Sequence, residues 1–175
     1  MIRIVIWFIL LAGGLIAGPI VDMILFPDLF RSIPFHLISF VLGVLLSLLV
    51  INGAQNTGRQ LARKGRVGDL PRLETNRLVT TGFYSCMRHP MHLVLLFFPL
   101  TLALVEGSPS FILIIWPIEV VFMLVMVRFA EEPEAERKFG TDYTAYKKKV
   151  PMFSLSPSCL QEIFLKRSKR SKPKE

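Results

Sequence analysis

A chain of 175 residues carries 52% apolar side chains, only 19% charged ones and a formal charge of +8. A water-soluble globule of this size would expose much of that apolar set, so the composition excludes one. It also excludes collagen, a disordered chain and a disulfide scaffold, because Cys86 and Cys159 are the only cysteines. An integral membrane protein remains, with one transmembrane domain expected over residues 1–153 and a basic tail over 154–175.

Residues 4–26 form the first apolar run. It starts like a signal peptide, with Arg3 ahead of an apolar stretch, but it continues to Phe26 and so reads as an uncleaved span. The second span is residues 33–51. The third, residues 91–105, reaches only about 22 Å at 1.5 Å per residue, short of a hydrocarbon core of ~30 Å. The fourth, residues 111–127, contains Pro117 and Glu119. No strand-like alternation interrupts them. The expected fold is all-α: a polytopic helical membrane protein with about four transmembrane helices and short cytoplasmic helices after the last span.

Residues 54–88 are too polar to span. The basic stretch 57–68 suits either the anionic inner leaflet or a solvated loop. His89 and Pro90 read as the start of the third helix, since proline is tolerated at the first helical position. After the fourth span, Pro133 disfavours helix at Glu132 and predicts an end or a kink there. A short helix over 133–139 would stop at Gly140, and Thr141 would cap another over 142–149, which Pro151 follows. Order is expected to about Phe153, and residues 166–174 read as a disordered basic tail.

Charge then orients the chain. Arg59, Arg63, Lys64, Arg66, Arg72, Arg77 and Arg88 lie in the long connection, and twelve more basic residues follow position 127. The connection 27–32 has only Arg31, and 106–110 has none. The positive-inside rule places the long connection and both termini in the cytoplasm, with 20 of the 21 basic residues on that face. Both cysteines fall on the same reducing side, so free thiols are expected.

Two polar clusters are expected at this face. One runs from Asn76 to His92; the other is Arg128-Phe-Ala-Glu-Glu132, followed by Phe139-Gly-Thr-Asp-Tyr143 and Tyr146. A helix start with Arg88 favours an anion, and carboxylates at a helix end favour a cation or hydroxyls. S-adenosylmethionine has both characters; ATP fragments and lipid headgroups satisfy parts of the same pattern. Each residue also has a plainer use. Arg88 suits a snorkelling anchor, His89 a helix cap, His92 a packed interfacial histidine, and Tyr143 with Tyr146 an aromatic belt. Asp22 and Glu119 are intramembrane acids, fit either for function or for pairing inside the bundle. Cys86 reads as a bystander, and no metal site is expected.

The sequences Leu78-Val-Thr-Thr-Gly-Phe-Tyr84, Arg88-His-Pro90, Glu131-Glu132 and Phe139-Gly-x-x-Tyr143-x-x-Tyr146-x-x-x-Val150-Pro151 resemble the isoprenylcysteine carboxyl methyltransferase and phospholipid methyltransferase superfamily. The resemblance covers residues 73–151. It implies a multi-span helical enzyme that binds S-adenosylmethionine from the cytoplasmic side and takes a lipophilic acceptor from the bilayer. It carries cofactor binding to Asn76, Arg77, Leu78, Val79, Tyr84, His89, Pro90, Met91, His92 and Glu131. Three positions depart from the family pattern: His92 stands in place of Tyr, Val94 of Gly and Ala135 of Leu.

The resulting expectation is a membrane methyltransferase, with Arg128 orienting an anionic acceptor and His92 handling a proton for an amine or thiol acceptor. A prenylcysteine-like carboxylate, a lipid amine and a small thiol remain open as acceptors. A bacterial or archaeal inner membrane and the endoplasmic reticulum remain open as locations, and no nucleic acid is expected as a partner. A non-catalytic lipid-binding or assembly protein on the same scaffold is the alternative; a reductase of the related helical type lacks an added nicotinamide-binding signature.

Overall fold

The computed structural model of the chain describes residues 2–70 and 74–165. They are 80% helical, without a strand among the described residues. Three helices are long and apolar enough to cross a membrane: Val5–Leu25, Ile33–Lys64 and Phe111–Lys149. A shorter apolar helix, Pro90–Glu106, comes third in chain order, ahead of Phe111–Lys149. The protein is an all-α, multi-pass membrane protein. The basic segment 166–174, expected to be disordered, lies outside the described residues.

The described residues divide into two compact units, Met1–Leu48 with Leu95–Pro133 and Leu49–Val94 with Glu134–Glu175. In the first, α1 (Ile2–Leu25) is followed by the short α2 (Pro27–Phe30) and the opening half of α3 (Ile33–Lys64). Ile16, Ile20 and Ile24 of α1, and Leu37, Val41 and Leu45 of α3, are exposed apolar side chains, as a lipid-facing surface requires. The opposite face of α1 repeats small or polar residues every four positions: Gly14, Gly18 and Asp22. A methyl group on Gly14 would come within 2.9 Å of Phe111, and one on Gly18 within 2.7 Å of Ser108, so these glycines admit close helix approach. Asp22 is fully buried and accepts hydrogen bonds from the Ser110 N–H (2.6 Å) and the Ser108 hydroxyl. It thereby caps the turn that opens the fourth helix, so this intramembrane acid pairs inside the bundle. Glu119 differs: it is buried, and its carboxylate makes no hydrogen bond among the described residues.

The third apolar helix breaks at Phe97 into α5 (Pro90–Leu96) and α6 (Phe98–Glu106), because Pro99 can offer no N–H to the preceding turn. The fourth is longer than expected. A wide π turn, Phe111–Ile115, leads into α7 (Trp116–Met126); a second, Val127–Glu131, leads into α8 (Glu132–Lys149). Each π turn ends just ahead of a proline, Pro117 or Pro133. The extra residue in the turn relieves the clash between the proline ring and the carbonyl four residues earlier. The helix therefore continues through Glu132 instead of ending there. The interruption falls at Gly140, where φ is +57° and ψ −131°, and the expected stop at that residue is the one observed.

In the second unit α3 stays helical to Lys64, so residues 57–64 are neither a loop nor a separate segment. A helix absent from the expected tail, α9 (Pro157–Phe164), buries Cys159 and Ile163. Two asparagines of α3 hold its end: the Asn52 amide donates to the Phe164 carbonyl (2.5 Å), and the Asn56 amide donates to the Ile163 carbonyl (2.9 Å). Docked this way, Cys159 forms a disulfide with Cys86 in α4 (Phe83–Cys86), with the two Cα atoms 6.1 Å apart. The expectation of free thiols is overturned. It rested on the compartment, whereas the docking of α9 decides which sulfurs meet.

Candidate functional site

The second unit contains a cavity of ≈ 170 Å³. It is built from the end of α3, the segment 74–82, α4, the start of α5 and α8. The segment has little regular structure, and its shape is set by polar contacts. The Gly65 carbonyl accepts the N–H groups of Asn76 (2.9 Å) and Arg77 (3.1 Å). The Asn76 side chain makes two bonds to the Val67 backbone, accepting at 2.9 Å and donating at 2.8 Å. Farther along, Gln60 donates to the Thr81 carbonyl and accepts from the Phe83 N–H, and Lys64 donates to the Thr81 hydroxyl. Gly82, at φ +63°, has Gln60 where a side chain would stand.

The other wall is fixed by residues after Gly140. The buried Tyr146 donates its hydroxyl proton to the Tyr84 carbonyl. Arg88 donates to the carbonyls of Lys147 and Val150. The N–H groups of Arg88 and His89 donate to Pro151 (2.9 Å) and Met152 (3.2 Å). The expected anion site at the start of the third helix is thus partly closed by the chain itself. Burial pushes the Tyr84 phenol well above its ordinary pKa, so it stays protonated at neutral pH.

Arg77, Leu78, Val79 and Tyr84 line the cavity from one side. Arg88, His89, Met91 and His92 line it from the start of α5. The rings of His89 and His92 are 5.4 Å apart at 76°, as their spacing of three on one helix face allows. Asn76 and Pro90 do not line the cavity: Asn76 is committed to Val67, and Pro90 is buried. Every lining residue belongs to the second unit.

Arg128, Glu131 and Glu132 belong to the first unit. Glu132 is fully buried, and its carboxylate lies 2.8 Å from the half-exposed Arg128 guanidinium, one turn earlier. Glu131 is half-buried.

Leu61 and Thr75, for which the sequence suggested no role, line the cavity, as do Ala135, noted as a departure from the family pattern, and Phe139, a member of the second cluster. Tyr143 and Tyr146 also line it, buried and with ring centroids 6.1 Å apart, so they are not belt residues facing lipid headgroups. Phe139, Tyr143 and Tyr146 recur at intervals of four and three, and that spacing was the available signal. Val94, where the family has Gly, is fully buried opposite Gly53 of α3. A methyl group on Gly53 would come within 3.0 Å of both Val94 and Phe164. The small residue that permits close approach therefore stands on the facing helix.

A family model described as phospholipid methyltransferase matches residues 38–142, more than half of the chain. No curated protein matches the chain. No solved structure matches it either.

Proposed function

The chain belongs to the phospholipid methyltransferase family, and we propose that it moves a methyl group from S-adenosylmethionine to a lipophilic or small acceptor. Membrane methyltransferase is the family's activity; the donor and the acceptor class are our reading. One observation carries it: the residues of the stretch 77–92 that the superfamily uses for its cofactor, namely Arg77, Leu78, Val79, Tyr84, His89 and His92, line one cavity, which Phe139, Tyr143 and Tyr146 of α8 close from a distant part of the sequence.

The lining suits that cofactor in kind. Leu61, Leu78, Met91 and Phe139 offer apolar walls for a nucleoside base, and Arg77, His89 and His92 offer polar contacts for a carboxylate and ribose. Bound S-adenosylmethionine supplies a methyl group already activated on a sulfonium, so the protein has only to bind, orient and exclude water. Asn76 serves by pinning the segment that carries Arg77 to Val79. Ala135 leaves room where the family's leucine would project. His92 takes the proton from an amine or thiol acceptor; the roles of Glu131 at the cofactor's cationic end and of Arg128 at an anionic acceptor rest on the family resemblance alone. A carboxylate acceptor needs no base.

Gly53 opposite Val94 permits the close helix approach that the family's glycine would give, which supports the catalytic reading over a non-catalytic scaffold. Isothermal titration of the purified full chain with S-adenosylhomocysteine tests the reading. Saturable binding is expected; a folded protein that takes up none sinks it.

A further inference from the structure

A second cavity, ≈ 490 Å³, lies wholly in the first unit, and its lining is ordered by chemistry. At one end stands Arg31, the sole basic residue of the connection 27–32. Its guanidinium makes no hydrogen bond or ion pair among the described residues, and Asp28, three positions earlier, does not pair with it. His36 borders this end, with Nδ1 3.0 Å from the Ser32 carbonyl and its ring 5.7 Å from that of Phe30. Beyond them the wall is hydrocarbon. Ile33, Leu37 and Phe40 recur at intervals of four and three along α3 and are 73%, 63% and 51% exposed. Val105 of α6 completes the lining. This row runs about 10 Å along the helix at 1.5 Å per residue.

We propose that this groove is a binding site for one anionic phospholipid, with the phosphate at Arg31 and the first part of an acyl chain along Ile33, Leu37 and Phe40. A cation beside an apolar trough matches an amphiphile of opposite charge, and the trough opens on a surface that lipid covers in a membrane protein. A soluble anion would use Arg31 and leave the trough without purpose. The site needs no residue of the methyl-transfer cavity and stands independently of the donor assignment.

The test uses the full chain in nanodiscs holding equal phosphatidylglycerol and phosphatidylcholine with identical acyl chains, followed by native mass spectrometry. The wild type should retain one phosphatidylglycerol with a preference of about fivefold, the effect of one basic residue on an anionic headgroup. Arg31→Gln should abolish the preference and Arg31→Lys should keep it. Leu37→Trp, which fills the trough, should lose the retained lipid of both kinds. Arg59→Gln, a change to an exposed base of the second unit, should leave the preference intact. Undiminished preference in Arg31→Gln, equal loss in Arg31→Lys or Arg59→Gln, undiminished retention in Leu37→Trp, or displacement of the lipid by inorganic phosphate would each overturn the proposal.

Discussion

His92 shows what a residue's type and spacing reveal and what they leave out. It stands three positions after His89, a spacing that puts neighbours on one helix face, and the two rings line one cavity. The expected outcome is that His92→Tyr keeps S-adenosylhomocysteine affinity, because it restores the family's residue type. His92→Ala should lower affinity roughly two- to tenfold, the loss of about 0.5–1.5 kcal/mol for one aromatic contact. Titration of both variants decides, and two unchanged affinities would remove His92 from the wall. If His92 also handles the acceptor's proton, both variants lower the methyl-transfer rate even where affinity is kept. The two glutamates separate in a different way. Glu132 is fully buried against Arg128, so Glu132→Gln should lower stability by about 1 kcal/mol, a charge-assisted bond becoming a neutral one, and affect the cofactor less. Glu131→Gln should weaken S-adenosylhomocysteine binding by roughly 10- to 150-fold, the loss of one charge-assisted contact of about 1.5–3 kcal/mol. Thermal melts and titrations of the pair measure both; equal affinity for wild type and Glu131→Gln refutes the assignment. Asn76 was legible as a motif member but not as a loop pin, since its partner Val67 is fixed by a tertiary turn.

Helices were legible wherever hydropathy and helix formation coincide, and misread where they part. Helix α3 outlasts its apolar stretch 33–51 because residues 52–64 contain no proline and Asn52 and Asn56 are held by α9, although the segment is too polar to span and carries Gly53 and Gly58. Pro133 was visible, whereas the wide turn that accommodates it depends on backbone register that composition does not encode. Helix α9 is short, and the surrounding basic residues masked its apolar positions Cys159 and Ile163. Gly140, by contrast, was legible because its type matches its backbone. At φ +57° and ψ −131°, with open space around its Cα, Gly140→Ala should cost about 1–3 kcal/mol from the backbone alone. Circular-dichroism melting in detergent reads this as a lower Tm, and an unchanged Tm would contradict it. Gly53 poses a packing question. Gly53→Ala should destabilise by about 1–3 kcal/mol through crowding against Val94 and Phe164, and adding Val94→Gly should recover part of that loss. Strict additivity in the double-mutant cycle would show that the two residues do not share the contact.

For the molecule as a whole, composition sufficed to identify a helical membrane protein, since no soluble packing could hide so many apolar side chains. The charge distribution further predicts which side each connection faces. With Asp28→Cys and Asp69→Cys introduced singly, a membrane-impermeant maleimide should label position 69 from the cytoplasmic side and position 28 from the other; the native cysteine pair is oxidised and silent. Labelling of both from one side would reverse the expected arrangement. Pairing of the cysteines was beyond the sequence, because Asn52 and Asn56 bring α9 to its place through contacts more than a hundred residues apart. That single bond also changes what kind of polymer the protein is. It closes a covalent ring over residues 86–159, with a sequence separation of 73, and the ring contains the apolar helices Pro90–Glu106 and Phe111–Lys149. One backbone cut inside the ring would open it without freeing a fragment, so the nicked chain would keep its full mass until a reductant is added. A protease that unravels substrates by threading would reach Cys159 from the tail and then have to draw in three strands at once, the one leading back from Cys159 and the two arms of the chain at Cys86.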